Sequence, residues 1–255
     1  MDEILKSANV LVVDDHGIVR DGVKLRLQGE DGITVVGEAD NGHKAVLRAQ
    51  ELRPDIVIMD LIMPVLNGLE ATRQILNVLP STRIIILSAV AQREYVTKVL
   101  HVGARGFVVK REGLDVLLRA VRSVMSGGSY FSDEISGMLA ESFRQSLEKG
   151  VGSFLELRPT LTARELEVLQ LVAEGYPNKQ IAGVLCISIK TVEKHRQQVM
   201  NKLKIHDIAG LTRYAVATHV ISVSPILNGD VQHEVLGGMV NGNRIKKLLK
   251  KSRIV

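Results

Sequence analysis

Five short runs of β-branched and aliphatic residues punctuate the first half of the chain: "VLVVDD" (10–15), "TVVGEA" (34–39), "DIVIMD" (55–60), "RIIILSA" (83–89) and "GFVVK" (106–110). Most are apolar throughout and do not alternate, the pattern of strands buried on both faces of a parallel sheet. Between them lie stretches with helical spacing, among them "GIVRDGVKLRLQ", "NGHKAVLRAQEL", "GLEATRQILNVL" and "LDVLLRAVRSVM". Asn41 and Asn67, each followed by Gly, stand at helix starts, where a side-chain oxygen can take up a free backbone N–H. Five β-α units in series predict an α/β fold: an open, doubly wound, five-stranded parallel sheet with right-handed crossovers.

In such a sheet ligands bind at the carboxyl ends of the strands. The first strand ends in Asp14-Asp15, the third in Asp60, the fourth in Ser88 and the fifth in Lys110. A single strand-end Asp usually forms a turn or caps the next helix. Coincidence explains five such groups on four strand ends poorly. Three carboxylates this close repel, and one must hold a proton unless a cation joins them. Oxygen-only ligands suit a hard divalent ion, Mg2+. A carboxylate beside that metal can act as a nucleophile toward a phosphate and form an acyl phosphate. Lys110 and Ser88 are then placed to meet phosphoryl oxygens.

The strand "VVDD", "MDLIMPVLNG", "LSA" and "GFVVK" together resemble the receiver domain of bacterial two-component response regulators, over about residues 8–125. The resemblance implies a flavodoxin-like receiver (domain 1–125) in which a sensor histidine kinase phosphorylates Asp60. It implies Mg2+ held by Asp14, Asp15, Asp60 and the backbone carbonyl of Ile62, with Asp14 acting mainly through water. Ser88 and Lys110 would read the phosphoryl group. Phe107 takes the place of the family's switch aromatic. Many members have Tyr there, so a hydroxyl that could anchor the inward ring is absent.

Charge divides unevenly. Residues 1–125 carry 16 basic and 16 acidic side chains, whereas 161–220 carry a net +3 and 221–255 a net +4. A polyanion partner is therefore expected in the C-terminal half. Residues 126–156 are Ser- and Gly-rich and read as a linker in which "SDEISGMLAESF" forms a short helix capped by Ser132. From 161 the pattern turns helical. "LTARELEVLQLVAEG" opens on a capping box, Thr162 and Glu165. "NKQIAGVLC", a tight connection and "IKTVEKHRQQVMNKLKI" describe a helix-turn-helix. Its second helix can enter the major groove, where amides and cations read base edges.

This segment looks like the LuxR-type helix-turn-helix of the NarL/FixJ subfamily, over about residues 157–220, a second, all-α domain. By position in that motif Glu193, Lys194 and Gln197 would face bases. Lys179, Lys190, Thr191, His195, Arg196 and Lys202 would meet phosphates, and Leu211 and Tyr214 would supply a dimer surface. Pro177 replaces the family's usual Ser or Thr cap, which hands the capping to Asn178. Gly183 inside a helix costs about 1 kcal/mol relative to Ala. Residues 221–255 fall outside the resemblance and read as a basic, flexible extension.

The expected function is a cytoplasmic response regulator that binds double-stranded DNA in paired half-sites as a homodimer when phosphorylated. RNA polymerase is a candidate partner. No membrane partner is expected, because no apolar stretch is long enough to span a bilayer and the start "MDEILKSANV" lacks a secretory pattern. One cysteine, Cys186, excludes an internal disulfide framework. Two other readings compete. An Mg2+-dependent phosphatase with an aspartyl nucleophile lacks a second acid two residues after Asp60, where Ile62 stands. A DNA-binding protein whose receiver is read by protein partners would bind its operator independently of phosphorylation.

Overall fold

The structure is a computed structural model that describes residues 7–89, 91–149, 161–218 and 220–221. Strands β1 (Ala8–Val13), β2 (Ile33–Ala39), β3 (Ile56–Asp60), β4 (Arg83–Ser88) and β5 (Gly106–Val109) form in the order the apolar runs predict. They pair in parallel as β2-β1-β3-β4-β5, and a sixth strand, β6 (Tyr130–Phe131), adds beyond β5. Helices α1 (Gly17–Gln28), α2 (Gly42–Leu52), α3 (Gly68–Val78), α4 (Arg93–Val102) and α5 (Leu114–Met125) cross between the strands. Each strand face buries its own cluster. Val57, Met59, Ile84, Ile86 and Phe107 lie on one face, under Ala45, Ala71, Ile75 and Val99. Val10, Val12, Ile56, Ile58 and Val108 lie on the other, under Val23, Leu117 and Val121. Two buried faces explain why the strand sequences do not alternate.

Asn41 and Asn67 both cap as expected, accepting the N–H groups of Lys44 and Glu70. Gly68 is a matter of space: a Cβ there would sit 1.9 Å from the Asp60 carbonyl oxygen. Its N–H donates to the Leu61 carbonyl at 2.9 Å, so the chain folds back on the end of β3 just after the conspicuous aspartate.

The junction departs from expectation. Tyr130 and Phe131 pair with Gly106 and Phe107, and the Ser132 N–H donates to the Phe107 carbonyl at 3.3 Å. Helix α6 (Asp133–Lys149) follows and spans 17 residues, longer than the short helix predicted. Ile135, fully buried, joins the cluster of Tyr95, Val96 and Phe107. The first part of the expected linker is thus an edge of the receiver.

Helices α7 (Ala163–Ala173), α8 (Asn178–Val184), α9 (Ile189–Leu203) and α10 (Ile208–Ala217) make the second domain around Val168, Leu169, Ile181, Val192, Val199 and Leu211. The Thr162–Glu165 capping box forms as predicted. Ser188 and Asp207 cap α9 and α10. Asn178 does not cap α8: Pro177 holds the cap position, and the Asn178 amide oxygen accepts from Arg196 instead. The basic extension lies outside the described residues, Ile221 excepted.

Candidate functional site

Parallel pairing in register brings the strand ends level: Val13 lies beside Met59, Asp60 beside Leu87 and Ser88 beside Val109. Asp60 and Ser88, the last residues of β3 and β4, and Asp14 and Lys110, which directly follow β1 and β5, therefore share one edge. Asp14 and Asp60 are 2% and 4% exposed, and Ser88 is buried with them. Ligand atoms of Asp14, Asp15, His16 and Asp60 all lie within 4.8 Å of one another. Lys110 Nζ stands 2.7 Å from Asp14 Oδ2 and 3.0 Å from Asp60 Oδ2. The Leu61 N–H donates to Asp60 Oδ1 at 2.8 Å, and the His16 N–H to Asp14 Oδ1 at 2.9 Å.

Burial pushes the Asp60 carboxyl up to about 6. Lys110 opposes the rise, and Asp14 and Asp15 add to it. Burial works against the Lys110 ammonium, but Asp60 and Asp14 outweigh it and hold the lysine above its ordinary value. One ammonium facing three carboxylates leaves the cluster electron-rich. Its donors are hard oxygens, which fits a divalent cation of the Mg2+ class. The Ile62 peptide lies two residues beyond Asp60, on the same turn.

Phe107 is fully buried, covered on its own edge by Phe131 and Ile135. His16 was not anticipated from the sequence. Its Nδ1 lies 2.8 Å from Asp15 Oδ1 and 3.3 Å from Asp14 Oδ1, while its ring is largely open to solvent. Its place directly after Asp14-Asp15 was the available signal.

On the helical domain, Lys179, Lys190, Glu193, Lys194 and Gln197 are exposed. The receiver leaves this face open. Thr191 is held by the cap, its N–H and hydroxyl both on Ser188 Oγ. Arg196 donates to Asn178, and Lys202 Nζ lies 2.6 Å from Glu165 Oε2. Both cations are therefore paired within the domain. His195 is half-buried, with Nδ1 inside the domain. Leu211 corrects the expected dimer surface. It is 1% exposed and belongs to the domain core, whereas Tyr214 is partly open and Ile208 is 55% exposed. A leucine at that spacing packs inward because the helix turns its i, i+4 face, Leu211 and Ala215, onto α7.

Sequence reasoning missed the contact between the domains. The turn after Asp60 meets α7. Gln170 Nε2 donates to the Met63 carbonyl at 3.0 Å, and Gln170 Oε1 accepts from the Asn67 N–H at 3.0 Å. The Val65 N–H donates to both Glu174 oxygens, at 3.2 and 3.1 Å. Gln74 Nε2 donates to Glu167 Oε1 at 2.7 Å. A Gln inside the apolar run "VLQLVAEG" was the visible signal.

A buried aspartate at the carboxyl edge of a parallel α/β sheet, flanked by two acids and a lysine, defines a receiver-type site. The model of the response regulator receiver domain matches residues 10–122, and that of the bacterial regulatory proteins of the luxR family matches residues 159–215. The chain is 36% identical over 208 residues to the transcriptional regulatory protein DegU of Brevibacillus brevis, covering 78% of this chain and 88% of that one. It is equally identical over 208 residues to the oxygen regulatory protein NreC of Staphylococcus carnosus (strain TM300), covering 81% and 96%. Among solved structures it resembles RcsB from Salmonella enterica serovar Typhimurium bound to promoter P1flhDC in the presence of phosphomimetic BeF3−, at 27% identity and TM-score 0.51, covering 82% and 97%. The chain belongs to the two-component response regulators that join a receiver to a LuxR-type helix-turn-helix, a family of transcription regulators. Among the described residues no helix is long and apolar enough to cross a membrane.

Proposed function

We propose that a sensor histidine kinase phosphorylates this regulator on Asp60, and that the phosphoryl group controls dimerisation on paired DNA half-sites and so transcription. The observation that carries the reading is the pairing of Lys110 with both Asp14 and Asp60 at the strand ends. It marks a place built for negative charge beyond what one cation neutralises. Asp14, Asp15, Asp60 and the Ile62 carbonyl would hold Mg2+, whose chemistry is to shield the charge of an incoming phosphate. Ionised Asp60 attacks phosphorus through Oδ2 or Oδ1. The P–N bond of the donor phosphohistidine breaks, and the imidazole leaving group takes a proton from solvent. Lys110 then exchanges its carboxylate partners for a phosphoryl oxygen, and Ser88 donates to another.

Glu193, Lys194 and Gln197 would read base edges, with Lys179, Lys190 and Thr191 on phosphates. His195, Arg196 and Lys202 would contribute once their intradomain partners yield. Exposed Ile208 with Tyr214 is the better candidate for the dimer surface on α10. RNA polymerase contact and cytoplasmic location follow from the transcriptional role.

The test is intact-mass analysis after acetyl phosphate and Mg2+. One phosphoryl adduct is expected on the wild type and none on Asp60→Asn. An adduct on both, or on neither, contradicts the assignment. Sustained turnover of acetyl phosphate would favour the phosphatase reading.

A further inference from the structure

His16 stands outside the ligand set that the receiver resemblance implies, yet its ring is aimed at that set. Nδ1 lies 2.8 Å from Asp15 Oδ1 and 3.3 Å from Asp14 Oδ1. One ligand atom from each of Asp14, Asp15, His16 and Asp60 falls within 4.8 Å of the others. The backbone fixes this approach. His16 is the N-cap residue of α1, its N–H donates to Asp14 Oδ1 at 2.9 Å, and its carbonyl accepts from the N–H groups of Val19 and Arg20. Its side chain makes no capping bond, so the ring does nothing for the helix. The cluster also has an acceptor to spare. Asp14 Oδ2 is buried, and although Lys110 Nζ stands 2.7 Å away, no hydrogen bond of good geometry reaches that oxygen.

We infer that His16 is a metal ligand, and that it makes this edge a mixed nitrogen–oxygen site that prefers a first-row transition ion of the Mn2+ class to Mg2+. The inference rests on the reading of the edge as a cation site. Ligands about 2.1 Å from an octahedral ion stand about 3 Å apart along each edge of the octahedron. The two spacings from Nδ1 to carboxylate oxygens are of that size. Mg2+ is satisfied by carboxylate, carbonyl and water, and gains little from an imidazole, whereas transition ions gain from the nitrogen. A neutral imidazole can offer Nδ1 and keep its proton on Nε2, and a ring 68% exposed gives that proton access to water. Mg2+ can still fill the site through the oxygens alone.

The test uses the full chain as wild type, His16→Ala and His16→Gln, with Mn2+ as the probe and Mg2+ as the competitor. The residue is exposed and its side chain caps nothing, so both variants should fold. Pulsed EPR of bound Mn2+ reads the nitrogen hyperfine coupling of a directly bound imidazole. Competition titration reads the ratio of the two affinities. The wild type is expected to show the coupling. Both variants are expected to lose it while still binding Mn2+, about tenfold more weakly, with Mg2+ affinity kept within about twofold. Bound Mn2+ without nitrogen coupling in the wild type would overturn the inference. So would coupling that persists in His16→Ala, or the same Mn2+-to-Mg2+ ratio in all three chains. Failure of the wild type to bind either ion would sink the cation site itself, and the inference with it.

Discussion

At the Asp60 carboxyl, burial and two neighbouring acids act against one lysine, and the balance raises its pKa to about 6 from 3.8. A raised carboxyl means that the folded state holds its proton more tightly than the unfolded chain. The contribution of Asp60 to stability is therefore greatest below about 4 and is lost as pH rises through about 6, by roughly 3 kcal/mol. In metal-free buffer, urea unfolding of the wild type is expected to show this decline, and Asp60→Asn to lack it. Millimolar Mg2+ is expected to flatten the wild-type profile, because a cation removes the cost of ionisation. A wild-type profile that matches Asp60→Asn without metal would show that Lys110 already compensates the cluster. The removal of Lys110 has a matching sign: Lys110→Met takes away the group that lowers Asp60, so the Asp60 carboxyl should titrate still higher, as followed by its carboxyl carbon resonance.

The elements show how far the sequence carries. The five strands and their helices were legible because two-sided burial writes itself as unbroken apolar runs, and Asp14, Asp15, Asp60 and Lys110 were legible because strand ends share an edge. Strand β6 was not, since two residues, Tyr130 and Phe131, carry no period and gain their meaning only from the exposed edge of β5. Leu211 was assigned to a surface because its role depends on which side of α10 meets α7, which one helix does not reveal. Two substitutions test the elements. Ile135→Ala should cost about 2–5 kcal/mol in urea unfolding, since α6 is docked on the Phe107 cluster and is not a free linker. A cost below 0.5 kcal/mol would return α6 to linker status. In α8 a Cβ at Gly183 would meet nothing within 4 Å, so Gly183→Ala should stabilise the helical domain by about 1 kcal/mol, read from its melting.

For the whole molecule, the contact between the domains is short, polar and acid-rich. Burial pushes the Glu174 carboxyl up, against the donated bonds of Gln170 and Val65. Burial likewise raises Glu70, against Arg73 and Gln74, with Glu167 adding to the rise. Both acids are more easily protonated docked than undocked to the extent that docking buries them. Acidification from pH 7 toward 5 should therefore strengthen docking, seen as slower amide exchange at Val65 and Asn67 after correction for the intrinsic rate. Glu174→Gln keeps the hydrogen bond and should reduce that dependence. Val65, at this contact, carries a left-handed backbone at a cost of about 1–3 kcal/mol, five residues from Asp60.

Under the proposed function, charge at Asp60 decides how many copies of the chain assemble on DNA. The measurement that meets it most directly is the mass, by sedimentation, of the complex on one duplex carrying two half-sites, with and without beryllofluoride and Mg2+, for wild type and Asp60→Asn. Two copies per duplex on the wild type only when the phosphate mimic is present, with Asp60→Asn unresponsive, is the predicted result. The same stoichiometry and affinity in all four samples would mean that DNA assembly ignores the receiver site, and would contradict the account.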